Sequence, residues 1–386
     1  MKLIKKFLKT DLGIALLITV AWKTAMLTIG YLIDSSSIGG ASSIVSHTYN
    51  WDSGWYIAVI SGHYITDAAA AAFYPLFPLL VIIIKLISFN SLDILVAGQI
   101  VNTIAVWSII IALLKLGREF LDDGKKYWLI ALVLFTPAAF FLHVFYGEAI
   151  FMALSLWAYI FALRHKWLTM GIILAILTSA RLPAILVVGL CGLEFMRSYN
   201  WDIKRYFNRN LLYFLLAPIG FIVYGIYLLI VRGDFLAMFH AYSATNDWSY
   251  QIFDINFIKT ILRSTYEVVK VFLHQRSINN ELVINYILPL SSIMILAIGS
   301  IYLLLKQKGK YIPLGIYGLT SIVMFTLNSN VVSVHRYILP CLTFYVALAL
   351  MIKGRYRKTI LICLCLTGAM IQFIMLSMFI LHGFVG

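Results

Sequence analysis

Trp167 to Met196 reads WLTMGIILAILTSARLPAILVVGLCGLEFM, an apolar stretch interrupted by Ser179-Ala180-Arg181-Leu182-Pro183. As one helix it is long enough to cross a bilayer, with Arg181 at the centre at a cost of about 3 kcal/mol on insertion scales. As two helices, each half rises only about 20 Å at 1.5 Å per residue, less than the roughly 30 Å hydrocarbon core. The choice decides the fold, because one span in place of two moves every later loop to the other side. Two short spans meeting at Arg181 are expected, with their turn recessed and Arg181 at the floor of an outward-facing cavity.

The rest of the chain supports this choice. Of its 386 residues 62% are hydrophobic and 12% charged, at a mean hydropathy of +0.92, far beyond a soluble domain. Runs of spanning character fall near 11–33, 93–117, 127–143, 149–163, 211–231, 282–305, 311–328, 336–352 and 359–381. Loops 118–126, 164–166, 197–209, 306–310 and 353–358 hold about 16 Lys and Arg, and such loops stay cytoplasmic. That rule also excludes a crossing by Phe73–Phe89, which contains Pro75, Pro78 and Lys85. This segment is expected as a helix lying in, or dipping into, the outer interface, with Lys85 snorkelling. The expected fold class is an all-α polytopic membrane protein with a bundle of about 11 transmembrane helices and a single domain over 1–386. Large outer loops cover about 34–92 and 232–281, and Asn256–His274 within the second has an amphipathic pattern suited to the interface. The Lys-rich start before 11–33 reads as an uncleaved anchor, with cleavage near Ser35–Ser43 as the alternative.

The formal net charge of +14 comes from short clusters between apolar runs, so it orients a membrane protein and no nucleic-acid partner is expected. Cys191, Cys341, Cys363 and Cys365 all lie in apolar runs, which suggests neither a disulfide framework nor a cysteine zinc site. Lys23, inside the first span, faces a polar interior or merely packs there. No glycine-rich phosphate loop or dinucleotide fingerprint is present, so ATP and nucleotide sugars are not expected ligands.

Chemistry concentrates in Trp51-Asp52-Ser53-Gly54-Trp55-Tyr56, where a carboxylate sits among aromatic faces suited to a sugar ring. Asp52 can take a proton from an attacking hydroxyl; alternatively it is a helix cap within an interfacial aromatic belt. Glu148, after Phe145-Tyr146-Gly147, is either a second acidic group at the same face or a complement to the following helix dipole. The two carboxylates would act as base and supporting partner, or as ligands of a divalent cation. Arg181 and His335-Arg336-Tyr337 supply cations that suit a leaving phosphate, the alternative being snorkelling to headgroups. No close His spacing of a zinc helix occurs, so no resident metal is expected.

Trp51-Asp52-x-x-Trp55-Tyr56, Phe73-Tyr74-Pro75-Leu76-Phe77-Pro78-Leu79-Leu80, Thr136-Pro137 followed by Tyr146-x-Glu148, and Arg336-Tyr337-x-Leu339-Pro340 together resemble the PIG-V-like family. These are GPI mannosyltransferase II and its prokaryotic relatives, within the GT-C class of membrane glycosyltransferases. The resemblance runs from about residue 10 to about residue 350. It implies a GT-C bundle, a catalytic Asp in the first outer loop, inversion at the anomeric carbon, and a polyprenyl- or dolichyl-phosphate sugar donor, usually mannose. That Asp is Asp52 here. The family's Tyr-Thr-Glu stands as Tyr146-Gly147-Glu148, and its Arg-Pro-x-Gly as Arg181-Leu182-Pro183-Ala184.

The expected protein is thus an inverting glycosyltransferase of the cell membrane, working on the extracytoplasmic side. Asp52 and Glu148 are its catalytic carboxylates; Arg181, Arg336 and His335 take the donor phosphate. Trp51, Trp55, Tyr56, Tyr74, Tyr146 and Tyr337 contact sugar or prenyl chain. Its partners are a polyprenyl-phosphate sugar, a glycan, glycolipid or protein acceptor, and membrane lipid; no cofactor is required. The alternative is a lipid-linked sugar flippase or small-anion transporter, in which recessed cations bind a moving anion.

Overall fold

The structure, a computed structural model, describes residues 7–8, 10–37, 39–121, 125–244, 252, 254–306 and 309–386. It is 74% helix with no strand among the described residues. Five helical segments are long and apolar enough to cross a membrane: Asp11–Ser35, Ile94–Phe120, Arg209–Arg232, Asn280–Leu305 and Arg357–Ile380. The 25 residues of Asp11–Ser35, which we call α1, rise about 38 Å, more than the roughly 30 Å hydrocarbon core. Its start is fixed by Thr10, whose hydroxyl accepts from the Gly13 N–H at 3.2 Å.

Shorter helices fill the space between them. In chain order they are α2 (Asp52–Ile60) and α3 (Leu76–Ile87), then, after the long α4 (Ile94–Phe120), α5 (Lys126–Leu134) and α6 (Glu148–Leu163). The Trp167–Met196 stretch forms two helices, α7 (Trp167–Leu177) and α8 (Ala184–Ser198), separated at 178–183. Pro183 explains the break: it cannot donate to a preceding turn, and it disfavours helix at Leu182. At the break, the Ser179 carbonyl accepts from Leu76 N at 3.2 Å, which docks the start of α3 beside Arg181.

Two expected spans are shorter than their apolar runs. The run 127–143 is helical only to Leu134, because Thr136 is held extended (ψ 147°) ahead of Pro137 and a 3-10 segment, Pro137–Leu142, follows. The run 336–352 is divided between a single turn at Val334–Tyr337 and a helix at Leu342–Met351, since Pro340 lies between them. Both interruptions deliver polar backbone into an apolar interior, where it must be satisfied. Gln99 donates to His143 O at 2.6 Å and Asn102 to Val144 O at 2.7 Å, while Phe145 N donates to Thr48 O at 3.0 Å. Phe145 packs directly over Gly98, where a Cβ would stand 2.3 Å from its ring. Lys23 is buried and donates to Gln99 Oε1 at 2.7 Å, so it faces a polar partner inside the bundle.

Later elements are α9 (Ile219–Arg232), α10 (Ala237–Ala244) and α11 (Phe257–Phe272), followed after Asn280–Leu305 and Ile312–Thr326 by the final helix Arg357–Ile380. α11 turns Thr260 and Ser264 inward and leaves Ile258, Leu262 and Phe272 exposed. On α3, Leu79, Ile83, Leu86 and Ile87 are likewise exposed, a surface suited to lipid.

Candidate functional site

Four charged side chains, from residues 52, 148, 181 and 336, meet at one point. Asp52 opens α2, Glu148 opens α6, Arg181 lies in the break between α7 and α8, and Arg336 in the turn before Pro340. Each is presented where a helix starts or fails, for the local reasons just given. Arg336 Nη1 lies 2.7 Å from Asp52 Oδ2, and its Nε lies 2.5 Å from Glu148 Oε1. Arg181 Nη1 donates to the same Glu148 oxygen. Two guanidinium groups therefore balance two carboxylates, which is what makes such burial tolerable.

Exposure separates the pairs. Glu148 and Arg336 are 3% and 4% exposed, whereas Asp52 is 32% and Arg181 17%. Glu148 Oε2 has no hydrogen-bond partner among the described residues. The pair Asp52/Arg181 thus faces the opening, and Glu148 and the stem of Arg336 form the floor. Arg336 is clamped between Tyr146 and Phe141, whose ring centroids lie 4.5 and 4.8 Å from Cζ, and Arg181 stacks over Tyr337 at 5.7 Å.

The backbone around Asp52 is equally constrained. Trp51 has φ 52° and ψ −118°, outside the favoured regions for an L-residue, a conformation costing of order 1–3 kcal/mol. Neighbours hold it: Trp51 Nε1 donates to Gly383 O at 3.1 Å, and Asn50 Nδ2 to Phe379 O at 2.8 Å. Asp52 N donates to the Tyr146 hydroxyl at 3.1 Å. Backbone distortion beside a charged group is a recurrent mark of a functional site.

The predicted aromatic residues divide by position. Trp51 is exposed and stands edge-on to Phe384 at 5.5 Å, and Trp55 is half-buried and stacked on Phe73 at 5.8 Å. Tyr337 is half-buried beside Arg181. Tyr56 and Tyr146 are buried; the Tyr146 hydroxyl also donates to Asn50 O at 3.3 Å, so this residue supports Asp52 and Arg336 from behind. Tyr74 is buried in a second aromatic cluster against Tyr224, its ring 5.0 Å away and its hydroxyl without a partner among the described residues. His335 is buried, its Nε2 donating to Val385 O at 3.0 Å. The sequence reading did not anticipate Phe141, Asn50 or the 383–386 tail, none of which carries a motif; Phe141 was legible only as one of several apolar residues after Pro137. Among the described residues no group of three His, Cys, Asp or Glu is placed to hold a metal ion.

Compared with models of known families and with curated proteins, the chain matches none.

Proposed function

We propose that this chain is an inverting GT-C-type glycosyltransferase, moving a sugar, mannose by the family resemblance, from a polyprenyl-phosphate donor to an acceptor hydroxyl at the extracytoplasmic membrane face. The fold is then a bundle of about 11 spans, the short helices α7 and α8 among them. The observation that carries this reading is the convergence of Asp52 with Arg181 and Arg336 at a partly open, otherwise buried site.

Asp52 Oδ accepts the proton of the acceptor hydroxyl as its oxygen attacks the anomeric carbon from the face opposite the phosphate. The bond from that carbon to the phosphate oxygen breaks, and its electron pair leaves with the phosphate. The donor phosphodiester carries one negative charge and departs as a monoester dianion, and the extra charge develops against the guanidinium groups of Arg336 and Arg181. Glu148 fixes both guanidiniums, and Tyr146 with Phe141 fixes the plane of Arg336. Trp51 and Trp55 offer ring faces to the sugar. An apolar groove of about 520 Å³ between α1, α5 and Arg357–Ile380, lined by Met26, Ile29, Leu134, Phe373 and Leu376, would take a short stretch of a polyisoprenoid chain.

The test is purified protein in lipid nanodiscs given labelled polyprenyl-phosphate mannose and a panel of glycan, glycolipid and peptide acceptors. Release of free polyprenyl phosphate together with a mannosylated acceptor is expected. Movement of the intact donor across vesicles without release would favour the flippase instead.

A further inference from the structure

Arg336 is held on two edges by partners that differ in how easily they can leave. Its Nε lies against Glu148, which is 3% exposed and also bound by Arg181. Its Nη1 carries Asp52 Oδ2 at 2.7 Å and the Gly386 backbone oxygen at 3.2 Å. The group proposed as base is therefore paired to the group proposed to receive the phosphate. While Asp52 Oδ2 is held by Arg336 Nη1, that oxygen is turned to the guanidinium and not to an incoming hydroxyl.

Resting on the glycosyl-transfer reading, we infer that an anionic lipid phosphate takes the Arg336 Nη1 edge, displaces Asp52 from it and so frees the base, which requires donor to bind before acceptor can be deprotonated. Three features select Asp52 as the partner that yields. It has one cation where Glu148 Oε1 has two, and it is about ten times more exposed than Glu148. Its backbone stays anchored, through its N–H to Tyr146 and the bound Trp51 indole, so the freed carboxylate remains within the site. The phosphate offers several oxygens to a planar guanidinium and can hold Arg336 and Arg181 together. The acceptor then meets a carboxylate no longer neutralised, at the moment the sugar is in place.

Displacement makes a prediction that a passive neighbour does not. Full-length protein in nanodiscs is titrated with polyprenyl phosphate, which bears no sugar and undergoes no turnover. Asp52→Asn is expected to bind it about tenfold more tightly than wild type, because the competing carboxylate is gone. Unchanged or weaker affinity overturns the displacement. Asp52→Ala is the second variant, with the same expectation, since an amide can still accept from Nη1. Should neither variant remain monodisperse, the inference also falls, because a carboxylate free to swing away cannot be one that holds the fold. Wild-type protein that fails to bind polyprenyl phosphate at all is a separate result: it removes the glycosyl-transfer reading and the displacement with it.

Discussion

The charged cluster around Arg336 and the polar cluster around Lys23 are built on opposite plans. Around Arg336, positive and negative groups are matched, and two of the four are partly exposed. Around Lys23, a cation donates to Gln99, Gln99 donates to the His143 carbonyl, and His143 Nε2 faces His47 Nε2 at 2.9 Å. Lys23, His47 and His143 are no more than 4% exposed, and among the described residues no carboxylate bonds the lysine. The second cluster ties α1, α4 and the 137–147 segment together; the first is partly exposed at Asp52 and Arg181. Burial with neutral acceptors suits a scaffold, whereas matched charges at an opening suit a reaction.

The largest difference between the two should be seen in turnover. Asp52→Asn is expected to lower turnover by about 10²–10⁴, measured as release of polyprenyl phosphate, with the thermal unfolding midpoint near wild type. Near-normal release would remove Asp52 as base. Glu148→Gln leaves the buried Arg336 and the half-buried Arg181 without their shared carboxylate, so a loss of stability of about 3–5 kcal/mol is expected, read as a lowered unfolding midpoint. A variant as stable as wild type would show that Glu148 does not form the floor of the site.

In the second cluster, the effect should appear in stability and its pH dependence. Burial pushes the His47 imidazole down to about 4 from 6.5, the Asp34 carboxylate opposing this and the Lys23 charge adding to it. Between those values the unfolded chain binds the proton and the folded chain does not, so stability falls as pH drops from about 6.5 toward about 4. The expected loss is on the order of 3 kcal/mol across that window, and His47→Phe should flatten the profile. A slope unaltered by the substitution would assign it to other groups. Smallest is Gln99→Leu, which strands the Lys23 ammonium and the His143 carbonyl at a cost of about 1–3 kcal/mol, with turnover per folded molecule unchanged. Turnover falling more than stability would join the two clusters functionally.

Much of the helical plan was legible in the sequence because it is local. Pro183 and Arg181 interrupt Trp167–Met196, and the runs 11–33, 93–117 and 359–381 became long helices. The sequence reading extended 127–143 and 336–352 too far as helices. Apolar content predicts burial, but a proline within the run decides where hydrogen bonding stops, and distant side chains bond the backbone that follows Pro137.

The sequence by itself determined which residues carry charge in an apolar chain and where its helices must break, since hydropathy and proline geometry act within a few residues. Only the tertiary structure decided that Asp52, Glu148 and Arg181 all gather around Arg336, that Tyr146 supports the cluster from behind, and that Asp52 is paired to Arg336. Ion pairing is set by packing between segments far apart in the chain, and no local pattern encodes which carboxylate reaches which guanidinium.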